Sequence, residues 1–216
     1  MQVVALRSRD PFGAVLEALR GQIRGGQLPP GEPLIVMDLA RALGISATPV
    51  REGLAYLAGE GLIDGRRGRV RGYATWRLSA ADLADLYRLH SSNVLFALAE
   101  AGRRGARLGL RDALDGVLDR GSDAGALARA AEGLFDALLL AGGNGVARRA
   151  HRAVADRLHL ARLREPAVLD HLAEELHGLA ALEAGGVLLA QAVRTYHRRR
   201  LAEAEPLVAA MVRSGG

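Results

Sequence analysis

The chain has 216 residues, half of them hydrophobic and only 4% aromatic, and no cysteine, which removes disulfides, thiolate metal sites and cysteine nucleophiles from consideration. No stretch approaches the roughly 18 uninterrupted apolar residues of a membrane span, and no apolar leader opens the chain, so a soluble, cytoplasmic protein without a membrane partner is expected. All 29 basic residues are arginine, set against 24 acidic ones. Residues 1–78 hold eleven arginines and seven acids while residues 79–216 hold eighteen and seventeen, an excess that draws a polyanion to the smaller N-terminal part.

Between Pro11 and Arg24, Phe12, Val15, Leu16, Leu19 and Ile23 recur at three- and four-residue spacing. That spacing predicts an amphipathic helix, stopped by GGQLPPG. A short second helix is predicted over Met37–Leu43 and closed by Gly44. A third is capped by Ser46 or Thr48, takes Pro49 in its first turn and runs to Gly61. LIDG and VRGYAT then flank RRGR as two short extended runs around a glycine turn, which reads as a β-hairpin.

A capping signal at Ser79, with acidic residues in the turn that follows, restarts the chain. The domain boundary therefore falls after residue 76: residues 1–76 form a winged helix-turn-helix of three helices and a hairpin, and residues 77–216 an all-helical antiparallel bundle. Helices are predicted over 80–102, 110–120, 123–141, 144–162, 166–184 and 186–212, separated by glycine, proline or capping residues. The fold class is mainly α.

In a helix-turn-helix the first helix braces the second, whose N-terminal residues reach base edges in the major groove. Those residues here are Ser46, Ala47, Thr48 and Arg51. Arg51 suits paired contacts to guanine, while Ser46, Thr48 and the helix N-terminus suit phosphate. Arg66, Arg67 and Arg69, with Gly68 allowing close approach, suit the backbone or a narrow minor groove. In order and spacing, LRGQIRGGQLPPGEPL, LARALGISATPVREGLAYLAGEGLI and the wing resemble the GntR family of bacterial transcriptional regulators. Members usually carry an arginine after the serine, in contact with DNA. Ala47 stands there instead, which shifts recognition toward Arg51 and the wing.

The helical half, through LSAADLADLYRLHSSNVLFALAEAG, EGLFDALLLAGGN and LAALEAGGVLLAQAVRTYH, resembles the effector-binding FCD domain of the FadR branch of that family. The resemblance implies a divalent metal held inside the bundle by an aspartate and three histidines, beside a small carboxylate effector. This chain departs at those positions: Glu132 replaces the aspartate, Asp136 and Glu175 replace the first two histidines, and His197 matches the third. Glu132, Asp136, Glu175 and His197 are thus the candidate metal ligands, an oxygen-rich set closer to manganese or magnesium than to zinc. The alternative is a pocket without metal, its polar groups paired internally or hydrated. His90, Asp136, Asn144 and His197 are the candidate effector-binding residues, with His90 where the family carries an arginine and Val94 where it carries a glutamate. His151, His159 and His171 match no ligand position and read as surface or packing histidines, and HRRR at 197–200 as a solvated helix end.

No glycine-rich phosphate loop, HExxH or nucleophile motif is present, so no catalytic residue is assigned and an enzyme is not expected. The expected protein is a homodimeric repressor that binds a near-palindromic double-stranded operator and responds to a small-molecule effector; the alternatives are a regulator with an effector-independent helical domain and, less favoured, a metal-dependent enzyme built on Glu132, Asp136, Glu175 and His197.

Overall fold

The apolar spacing of the first predicted helix is realised as α1, Pro11–Arg24, in the computed structural model, which describes residues 10–66, 72–118 and 122–213. Asp10 caps it by accepting from the Gly13 N–H at 2.9 Å, and Val15 and Leu19 are wholly buried along its inner face. Two further helices follow: α2, Val36–Leu43, and α3, Ala47–Gly59. Gly44 ends α2 in the left-handed conformation at φ 68°, where a side chain would be strained. Gly53 lets α3 lie against α1, because a β-carbon there would come within 2.8 Å of Val15 Cγ1. Val50, Leu54 and Leu57 complete the inner face of α3.

The predicted hairpin forms as β2, Ile63–Arg66, and β3, Gly72–Thr75, paired antiparallel with Ile63 opposite Thr75 and Arg66 opposite Gly72. A third strand, β1 at Pro33–Leu34, adds to the other edge of β3, giving the order β1-β3-β2. Two residues are too few to show alternation in sequence, and an edge position tolerates the proline's missing N–H. Thr75, buried on β3, locks this edge: its hydroxyl donates to the Pro29 carbonyl and accepts from the Glu32 N–H.

By its internal contacts the chain divides into two compact units, the second spanning Leu78–Met211. The second opens with α4, Ala80–Arg104, under a complete capping box: the Ser79 hydroxyl accepts from the Asp82 N–H, and the Asp82 carboxylate accepts from the Ser79 N–H. There follow α5, Leu110–Leu114; α6, Ala124–Gly142; α7, Gly145–Arg164; a 3-10 turn at Glu165–Ala167; α8, Leu172–Ala181; α9, Gly186–Ala202; and α10, Ala204–Arg213.

Three expected spans are corrected. The helix expected over 110–120 stops at Leu114, ahead of Gly116 at φ 71°. The one expected from 166 begins at Leu172, since the 3-10 turn and His171, left-handed at φ 56°, intervene. The last breaks at Glu203, because Pro206 cannot donate to the Ala202 carbonyl and its ring would clash with it.

Within this unit α4 packs against α6, α7 and α9. Gly142 brings α6 to within van der Waals reach of α4, where a β-carbon would lie 2.9 Å from the Ala97 carbonyl. Val94, Leu134, Phe135, Leu138, Leu189 and Val193 form the core of this packing. Among the described residues no helix is long and apolar enough to cross a membrane.

Candidate functional site

In the N-terminal unit, α2 packs against α3 and leaves the start of α3 open. Ser46, Thr48, Arg51 and Glu52 are exposed, whereas Val50, Gly53 and Leu54 are buried. Ser46 occupies the N-cap position in an extended conformation, but its side chain makes no capping bond. Its hydroxyl and the first N–H groups of α3 therefore face outward together, an arrangement suited to a phosphate oxygen. Thr48, Arg51 and Ala55 recur at three- and four-residue spacing along the same exposed face. Among the described residues Arg51 makes no ion pair. At the wing, Arg66 ends β2, while Arg67, Gly68 and Arg69 lie outside the described residues.

The helical unit holds a polar cluster where its apolar core would otherwise be continuous. His90 of α4, His151 and Arg162 of α7, and Tyr196, His197 and Arg200 of α9 are each at most 2% exposed. Hydrogen bonds fix the histidine tautomers. The Val193 carbonyl can only accept, so His197 Nδ1 donates to it at 2.7 Å. His197 Nε2 then accepts from His90 Nδ1 at 2.8 Å, which leaves His90 Nε2 to accept from Arg162 Nη2, also at 2.8 Å. The result is a one-way chain from guanidinium through two neutral imidazoles to a carbonyl. Burial, which penalises the charged ring, holds His90 well below the usual histidine range and depresses His151 and His197 to about 4.

Beside this chain, Arg200 clasps Glu165 through Nε at 3.0 Å and Nη2 at 2.8 Å, and Tyr87 donates to the same carboxylate at 2.9 Å. The Arg200 guanidinium also lies over the Tyr196 ring, 3.3 Å from its centroid, and donates to Glu175 at 2.8 Å. Burial raises the Tyr87 hydroxyl well above its ordinary range and pushes Tyr196 up to about 12.

Of the candidate ligand residues, the structure brings together only His90 and His197. Asp136 is held by Arg148 in a two-pronged pair at 3.1 and 2.8 Å, which lowers its pKa. Glu132 binds His159 Nδ1 at 2.7 Å and faces Arg162 Nη1 at 3.5 Å. Glu175 pairs with Arg199 at 3.0 Å and with Arg200. The Asn144 side chain caps α7, accepting from the Val146 and Ala147 N–H groups.

A metal at Glu132, Asp136, Glu175 and His197 therefore does not fit. Three of the four are carboxylates already neutralised by cationic or histidine partners, and both ring nitrogens of His197 are used. Among the described residues no group of three histidine or acidic side chains is placed to hold a metal ion. The three-carboxylate cluster is avoided because each carboxylate meets an arginine on a neighbouring helix turn or helix.

The residues that build the cluster were partly hidden in the sequence. His151 packs against His90, and His159 also bonds Glu132. The expected solvated end HRRR is corrected, since His197 and Arg200 are buried and only Arg198 is exposed. The signal was present as the three- and four-residue recurrence of Val193, Tyr196, His197 and Arg200, and of His151, Val154, Leu158, Ala161 and Arg162.

Residues 12–70 match the bacterial regulatory proteins of the gntR family. Over 109 residues the chain is 34% identical to an HTH-type transcriptional regulator in the TAR-I ttuE-ttuC' intergenic region of Agrobacterium vitis. The aligned stretch covers 50% of this chain and 58% of that protein, less than two thirds of its length. The fold superposes on a transcriptional regulator GntR from Rhodococcus sp. RHA1 with a TM-score of 0.74 at 24% identity, over 89% of this chain and 96% of that one. It also superposes on Lar of Listeria monocytogenes with a TM-score of 0.58 at 18% identity, over 92% and 96%. These two likenesses establish the fold of a helix-turn-helix unit followed by an all-helical unit. The family matched is one of regulatory proteins.

Proposed function

We propose that this chain, whose N-terminal unit is the DNA-binding domain of a GntR-family transcriptional regulator, is a homodimeric repressor of the FadR branch. It places one α3 in each half-site of a near-palindromic operator, matching the twofold symmetry of a dimer. The helical unit carries the dimer contacts and the response to a small organic acid, and that response requires different affinity for two arrangements of the dimer.

One observation carries the DNA reading: the exposed row of Ser46, Thr48 and Arg51 at the open N-terminus of a helix braced by α2. The concentration of arginine in residues 1–78 supports it, since phosphate neutralisation dominates such binding. A buried histidine and arginine cluster in place of continuous hydrocarbon supports a ligand-responsive helical unit.

Anisotropy titration of the full chain against the promoter of its own operon, at several salt concentrations, tests the reading. Specific binding that weakens steeply with salt is expected. Arg51→Ala is expected to cost about 1 to 3 kcal/mol on the cognate site, roughly ten- to hundredfold in Kd, and to relax base preference at one position. Binding indifferent to salt, or unchanged by Arg51→Ala, refutes it.

A further inference from the structure

Each of the four candidate metal ligands is engaged here by another side chain: Arg148 on Asp136, Arg199 and Arg200 on Glu175, His159 on Glu132, and His90 on His197. A different cation lies inside the bundle. Arg162, 1% exposed, spends Nη2 on His90, and its Nε and Nη1 have no hydrogen-bond partner among the described residues. Glu132 at 3.5 Å balances part of its charge but lies beyond a good hydrogen bond. His151 Nδ1 and the Tyr196 hydroxyl, both buried, are likewise unpartnered among the described residues.

The residues that carry them are gathered around the His90 and Phe135 rings. His151 lies with its ring centroid 4.5 Å from, and tilted against, the same His90 ring that accepts from Arg162. Phe135 packs edge-on to both His90 and Tyr196, at 4.9 and 5.0 Å. Buried polar groups left in this state are rare in folded proteins and mark a place where another molecule completes the bonding. The two unpartnered nitrogens of Arg162 can only donate, so the complement is a group with more than one oxygen acceptor, and a carboxylate supplies it.

A cavity of about 730 Å³ between α4 and α9 has His197 in its wall. Arg88, Arg194 and Arg198 line it and no acidic residue does, so its field concentrates anions one imidazole pair from Arg162.

We infer that Arg162 stands in for a metal ion: the helical unit binds a small carboxylate directly on this guanidinium, with His151 and Tyr196 as further partners, and needs no divalent cation. The inference rests on the organic-acid response proposed above and adds its anchor and its independence of metal. A guanidinium cannot be stripped by a chelator, so ligand response in this chain is constitutive with respect to metal supply.

The test uses the full chain, dialysed against EDTA and then freed of it. Melting temperature and calorimetric titration are read with acetate, succinate and citrate as probes, each in EDTA and each with manganese, nickel or zinc added, and bound metal is counted by mass spectrometry. The expected result is saturable stabilisation by at least one carboxylate in EDTA, less than a tenth of an equivalent of bound metal, and no requirement for metal. Arg162→Met is expected to weaken that carboxylate about tenfold or more, and Arg162→Lys, which keeps the charge, less. If Arg162→Met fails to fold, Arg162→Lys and Tyr196→Phe are expected to weaken binding, with Asp136→Asn unchanged.

A stoichiometric metal on which carboxylate binding depends overturns the inference and leaves the organic-acid reading standing. Carboxylate binding in EDTA that is unaffected by substitution of Arg162 and Tyr196 overturns it too. If no carboxylate binds with or without metal, both fall together.

Discussion

Replacing Glu165 by glutamine is the sharpest probe of how the helical unit is held together. Glu165, 4% exposed, accepts three hydrogen bonds, two from Arg200 and one from Tyr87, and thereby ties the 3-10 turn to α4 and α9. Glutamine keeps the shape but brings one amide NH2 to face donors and removes the charge opposite Arg200. Breaking a buried pair from one side typically costs about 3 to 5 kcal/mol, because the surviving charge is left in a medium of low polarity. Glu175 still contacts Arg200 at 2.8 Å, which places the expectation at the lower end, about 3 kcal/mol.

For a helical unit of this size that corresponds to a fall in melting temperature of roughly 10 °C. Differential scanning calorimetry of the full chain reads it directly. The double variant Glu165→Leu with Arg200→Met removes both charges and is expected to recover at least half of the loss. A melting temperature for Glu165→Gln within about 2 °C of the parent, or a double variant worse than the sum of its single changes, would refute the argument that an uncompensated Arg200 is the cause.

Stability is also expected to depend on pH in a window set by the histidines. His151 and His197 bind protons at about 4 in the folded chain, against 6.5 for the free side chain. Above pH 6.5 the rings are neutral in both states and the full stability is present. As pH falls from 6.5 toward 4 the unfolded chain takes up protons that the folded chain resists, so stability falls by on the order of 3 kcal/mol per ring. Urea titrations at half-unit steps check this, with His151→Gln flattening the slope; a flat profile between pH 7 and 4.5 would contradict it. Gly142→Ala is expected to destabilise the helical unit by about 1 to 3 kcal/mol, since its β-carbon would press on the Ala97 backbone and drive α4 from α6. Thermal unfolding measures the loss, and a neutral substitution would mean that the two helices do not approach this closely.

Much of the architecture was legible residue by residue. Gly44, Asp10, Ser79 with Asp82, and Gly143 with Asn144 mark helix ends through bonds made within a few residues, so the sequence carries them whole. The exposed face of α3 belongs to the same class, because exposure of Ser46, Thr48 and Arg51 follows from burying Val50, Leu54 and Leu57 on one helix. Strand β1 escaped notice because two residues hold no period, and the split between α9 and α10 because the effect of Pro206 falls on the carbonyl four residues earlier.

The interior of the helical unit belongs to the other class. The resemblance of EGLFDALLLAGGN suggested ligands at Glu132 and Asp136, and their i, i+4 spacing does put them on one side of α6. Which cation each one meets depends on how α6 is turned against α7: Arg148 lies 12 residues from Asp136 and His159 lies 27 from Glu132. His90 and His197 are 107 residues apart and touch only because α4 and α9 pack side by side. Local bonding, short range and geometrically strict, writes itself into the sequence as caps, glycines and periods. Charge pairing and burial in a low-polarity core depend on helix rotation and approach, and tertiary packing alone decided that Asp136 and Glu175 are spent on arginines and Glu132 bonds His159, while Arg162 keeps donors to offer.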